Sequence, residues 1–136
     1  MKRFRQTYSS GAPWEQVVGY SRAVRVGRQV EVAGTTAVED GEVMFPGNAY
    51  FQTKVILDIV RDALESAGAR LEDVVRTRIF TTDMTMWQDI GRAHGEYFSA
   101  IKPASTMVEV SRLIHDDLVV EIEVTAVIPP QEGDLW

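Results

Sequence analysis

The chain has 136 residues, 45% of them hydrophobic, which suffices for one domain with a sizeable core and is too few for two ordinary ones. Its 14 basic and 20 acidic residues give a formal net charge of −6, so nucleic acid is denied the broad cationic surface on which phosphate binding depends. The absence of cysteine excludes disulfides, thiolate metal sites and a thiol nucleophile together. No apolar run approaches the ~20 residues of a membrane span, and the basic start MKRFRQTYSSG has no apolar stretch behind it, so a cytoplasmic chain without membrane contact is expected.

A single domain spanning 1–136 is expected, with 1–19 as an irregular arm and 129–136 as a C-terminal tail. The alternating run AVRVGRQVEVAG turns at Gly27-Arg28, a Gly-X pair suited to a type II′ hairpin between strands of roughly 21–26 and 29–34. After the loop VEDGEVMFPGN, the segment 49–69 places Phe51, Val55, Ile59, Ala63 and Ala67 at helical spacing, with Ile56, Val60 and Leu64 beside them and Gly68 as a stop. DVVRTRIFTT, 73–82, is rich in β-branched residues and predicts a third strand. Thr82-Asp83 can cap a second helix to about residue 100, with Trp87, Ile90, Ala93, His94, Tyr97 and Phe98 toward its packing side. Strands over 105–113 and 119–128, joined by IHDDL, complete a ββαβαββ order.

That order predicts an α+β layer, one sheet covered on one face by two helices. On the last strand Val120, Ile122, Val124 and Ala126 point one way, and Val119, Glu121, Glu123, Thr125 and Val127 the other. Neither face is fully polar. A sheet with helices on one side and apolar residues on the other calls for a partner surface, which predicts an oligomer with clefts where sheets meet. His94 and His115 lack acidic neighbours at metal-binding spacing, and no metal is expected. Trp14, Trp87 and Trp136 form no aromatic-basic platform for nucleic acid.

PASTMVEVSRL, 103–113, followed after six residues by VEIE, resembles the C-terminal signature of the Rid family, the reactive intermediate deaminases, also called YjgF-like proteins. VGYSRA, 18–23, is similar to the family's GPYSQA-like segment, and Ala33-Gly34-Thr35 to its SGQ-like strand end. The resemblance implies a chorismate-mutase-like fold, a homotrimer around a central barrel, small-molecule sites between subunits, and cofactor-free hydrolysis of reactive imines and enamines. It assigns Glu121 as the catalytic carboxylate of the cleft. Tyr20, Gly34, Thr35, Ser105, Thr106 and Met107 are assigned to the substrate-binding walls, with Met107 where some relatives carry cysteine.

Two departures stand out. Deaminating relatives carry arginine where this chain has Ser105, and a charged, bidentate carboxylate contact is thereby lost, which argues against 2-imino acid hydrolysis by the same means. The family's asparagine on the second helix is missing near Gly91. Two readings therefore stay open: a hydrolase for a small imine, enamine or related metabolite, and a non-catalytic trimer that binds a metabolite or regulates a partner. For Glu121 the alternative to catalysis is an ion pair across the trimer; Glu123, Glu109 and Arg112 read as structural.

Overall fold

A computed structural model describes residues 4–131. The main sheet has six strands: β1 (Arg5–Tyr8), β2 (Ala23–Val26), β3 (Gln29–Thr35), β6 (Val74–Thr81), β7 (Ala104–Glu109) and β8 (Val120–Val127), in the order β1-β2-β3-β8-β6-β7. All neighbours are antiparallel except β6 and β7, which run parallel and are linked by the crossover through α3 (Trp87–Phe98). A two-stranded ribbon, β4 (Val38–Glu39) and β5 (Glu42–Val43), and the helices α1 (Pro13–Val18) and α2 (Ala49–Ser66) complete the elements. No helix is long and apolar enough to cross a membrane, among the described residues.

The predicted α+β plan is present, and the long helices α2 and α3 share one side of the sheet. The arm is not irregular as expected. Residues 5–8 pair with β2, and Pro13 opens a short helix closed by Gly19 at φ 89°. Edge pairing of four residues carries little hydrophobic signal, which hides such a strand in sequence. The tail is without regular structure through Gln131, and its remaining residues lie outside those described.

Gly27-Arg28 turns the β2–β3 hairpin with Val26 opposite Gln29. Gly27 has φ 60° while Arg28 is not among the left-handed residues, as the predicted type II′ turn requires. The ribbon turns at Asp40-Gly41, both at positive φ (50° and 78°), the type I′ pattern of an Asp-Gly pair, in what had been expected as a loop.

Asn48 caps α2 by accepting from the Phe51 amide at 2.9 Å. The buried stripe runs through Gln52, Thr53, Ile56, Leu57, Val60, Ala63 and Leu64. It is rotated from the expected one: Phe51 is 44% exposed, because its ring stacks on Phe45 rather than entering the core. Gln52 is fully buried and makes four hydrogen bonds. Its Nε2 donates to the carbonyls of Met44 (3.2 Å), Phe45 (3.0 Å) and Asp117 (2.8 Å), and its Oε1 accepts from the Val119 amide (3.0 Å). One side chain thus ties the loop before α2 to the loop before β8.

The expected strand over 105–113 ends early, at Glu109, whose Oε1 instead accepts from the Met84 amide at 2.8 Å. Arg112 lies beyond it. β7 and β8 are not partners of each other, since β6 lies between them.

Candidate functional site

On β8, Val120, Ile122, Val124 and Ala126 are buried beneath the helices, so Glu121 and Glu123 face the uncovered side of the sheet. Across the register, Glu121 stands opposite Phe80 and Glu123 opposite Arg78. Glu123 is held by Arg78, Nη1 to Oε1 3.7 Å, an exposed pair of modest value that agrees with a structural role. Glu121 makes no hydrogen bond or ion pair within 4 Å among the described residues. Burial raises its carboxyl above the ordinary value, opposed by the Arg22 guanidinium and assisted by the charge on Glu123.

The carboxylate is seated by an irregularity in β3. Val32 pairs with Val124 and Thr35 with Ile122, so three steps on β3 span two on β8. Gly34 lies in this bulge, and a methyl group there would overlap Glu121 Oε2. Gly34 is not at positive φ, so its backbone tolerates alanine; the conflict is with the carboxylate alone. Gly34→Ala is therefore expected to fold with an unchanged melting temperature, measured by circular dichroism. Its turnover is expected to fall on the order of 10- to 100-fold, because the carboxylate must move aside.

Arg22, immediately before β2 and 7% exposed, is the member of the site that sequence reasoning missed. Its Nη1 donates to the Gly34 carbonyl (2.8 Å) and to Thr35 Oγ1 (3.1 Å), its Nη2 to Tyr20 Oη (3.4 Å), and its Nε lies 3.8 Å from Glu15 Oε2. Period-2 spacing from Tyr20 was the available signal, but a cation at a strand start reads as solvated. Glu15 is buried, which raises its carboxyl; hydrogen bonds from Ser10 and Ser9 and the charge of Arg22 outweigh this and hold it below the ordinary value. Arg22 is thus committed to backbone, hydroxyl and carboxylate partners. It ties down the bulge and biases Glu121.

Tyr20, Gly34, Thr35 and Glu121 are brought together around Arg22, although the buried Thr35 hydroxyl is occupied by Arg22 and the Ala33 carbonyl. The β7 residues lie elsewhere. Ser105 pairs with Thr77 and Met107 with Ile79, on the helix side of the sheet, while Thr106 shares Glu121's side and accepts from Arg76 Nη2 at 3.2 Å. Within one chain Ser105 and Glu121 are therefore on opposite faces. A cleft of about 700 Å³ opens between the arm and the β4–β5 ribbon, where Arg22 and Thr35 reach its wall and Glu121 does not.

The profile of the family described as Endoribonuclease L-PSP matches residues 11–128. A RutC family protein of Pyrococcus abyssi is 38% identical over 109 residues, covering 79% of this chain and 84% of its own length. Among solved structures, Rv2704 of Mycobacterium tuberculosis, described as a member of the YjgF/YER057c/UK114 family, is 45% identical with a TM-score of 0.84, covering 91% of this chain and 99% of its own. The YjgF gene product of E. coli is 26% identical with a TM-score of 0.74, over 93% and 98% of the two chains. The protein shares their fold and belongs to the YjgF/L-PSP family, the Rid family of the sequence resemblance.

Proposed function

We propose that the protein is a cofactor-free hydrolase of small imines or enamines that works as a homotrimer, with ligand sites between subunits. The observation that carries this reading is Glu121: a half-buried carboxylate without a hydrogen-bonding partner among the described residues, its carboxyl raised by burial, set against the one position where β3 leaves out a side chain. Such a group can take a proton from water as it adds to C=N and deliver it to nitrogen. The carbinolamine so formed then expels ammonia and leaves a carbonyl.

The trimer is supported by the uncovered face of the sheet, where Phe80, Val108 and Val127 lie among the charges of Arg78, Glu121 and Glu123. The opposite facing of Ser105 and Glu121 in one chain also favours a cleft built from two. Although the family description carries an endoribonuclease label, the net charge of −6 provides little for an RNA backbone.

The test is to generate short-lived imines enzymatically beside the purified protein and follow ammonia release, with sedimentation velocity on the same sample. Accelerated release by a species of three chains is expected. Binding of product analogues without any turnover would favour the metabolite-binding alternative, and a monomer at micromolar concentration would overturn the trimer that both readings share.

A further inference from the structure

Behind the position where the arginine is lost, three side chains are joined in a row. Ser105 Oγ is 2.7 Å from Thr77 Oγ1, across the parallel β6–β7 pair, and Thr77 Oγ1 is 3.0 Å from Nε2 of His94 on α3. Ser105 is exposed and Thr77 fully buried, so the row leads from the surface to an interior imidazole. Thr77 faces the core opposite Val124, where valine would serve the packing as well. A buried hydroxyl there needs partners, and it has two.

We propose that Ser105, Thr77 and His94 form an uncharged hydrogen-bond relay that recognises a carboxamide-class group where a carboxylate would otherwise be bound. The inference rests on the reading of β7 as one wall of the ligand site. Arginine offers donors and a charge but no acceptor, which suits a carboxylate. Ser105 offers one outward donor and one acceptor. Each hydroxyl in the row both donates and accepts, and a neutral imidazole has one nitrogen of each kind, so the row can be polarised in either direction. Burial lowers the His94 pKa and keeps the ring neutral, with the Phe98 ring 4.7 Å away. A primary carboxamide presents a matching donor and acceptor. A carboxylate has no proton to give and would be stripped of water against an uncharged wall.

The test uses pyruvamide and pyruvate, which carry the 2-oxo group that imine hydrolysis yields and differ only in the terminal group. His94 and His115 are the only histidines, so long-range proton–nitrogen spectra of the labelled protein resolve both rings. Pyruvamide is expected to shift the His94 ring nitrogens while leaving His115 in place, and pyruvate at the same concentration to shift neither ring. Thr77→Val should abolish the response and Thr77→Ser keep it. Should Thr77→Val fail to fold, Ser105→Ala, at an exposed position, must abolish it instead. In turnover, the imine of the amide is expected to exceed the imine of the acid ~10-fold in kcat/KM, with the preference lost in Thr77→Val and Ser105→Ala and kept in Thr77→Ser. An equal response to both probes, or an unaltered response in Thr77→Val or Ser105→Ala, overturns the relay. Imine hydrolysis without amide preference or any His94 response overturns the relay alone. A His94 response to pyruvamide without turnover of any imine overturns the hydrolase alone.

Discussion

Glu121→Gln is expected to lower imine turnover ~100-fold or more while making the protein more stable at neutral pH. The loss is the usual scale for a group that moves a proton in the rate-limiting step, and glutamine keeps the shape without the base. The gain in stability follows from the raised carboxyl. A group whose pKa is higher folded than unfolded stabilises fully below its unfolded value, and that stabilisation is lost as pH rises through the folded value. Wild type at neutral pH therefore carries the cost of an ionised, half-buried carboxylate, and glutamine does not. The advantage of the variant should shrink as pH falls through the folded pKa of Glu121 and vanish below the ordinary carboxylate range. Urea unfolding of both proteins across that range, at one protein concentration, measures it. A residue serving as a structural ion-pair partner would give the opposite result, with lower stability at neutral pH. Unchanged turnover would remove the proposed catalytic role.

Gln52→Leu is expected to cost on the order of 3 kcal/mol or more, among the larger losses available to a single substitution here. Leucine fills a similar volume, but it leaves the buried Val119 amide and three partly buried carbonyls without the partners that Gln52 supplies. One of those carbonyls belongs to Phe45, whose φ of 48° is strained for a side chain of that size. The Phe45 carbonyl keeps the Asn48 amide and the Asp117 carbonyl the Gly47 amide, so losing Gln52 should loosen the loop ahead of α2 together with the segment entering β8. Urea unfolding should show a lowered midpoint. A midpoint within experimental error of wild type would show that water satisfies these groups when glutamine does not.

Periodicity made the main elements legible. The β2–β3 hairpin, both long helices and the alternation of β8 were readable because each buries one continuous face. The elements that escaped have little or no such pattern: β1 is short and lies on an edge, and the β4–β5 ribbon has two residues per strand. Its Asp40-Gly41 pair was a usable signal that flanking strands this short did not support. Spacing could not show that Phe51 turns outward to meet Phe45, which depends on where the preceding loop goes. In the site, Glu121, Tyr20 and Gly34 were identified through family resemblance. Arg22 and the row from Ser105 to His94 were not, because contacts across a strand pair or between a strand and a helix leave no spacing in the chain.

The extra residue that β3 carries between Val32 and Thr35 has an evolutionary consequence. It lets Gly34 lie against Glu121 while Thr35 returns to the buried side, so the arrangement depends on chain length as well as on residue identity. A relative could keep every residue named in the site and still lose it through a single deletion in the bulge, which would turn the following side chains to the other face. Conversely, a lineage could acquire such a seat for a carboxylate by one insertion, before any side chain in it was selected for chemistry. Ranking members of this fold by residue matches alone would miss both events, whereas counting residues between the β3 and β8 pairs would reveal them.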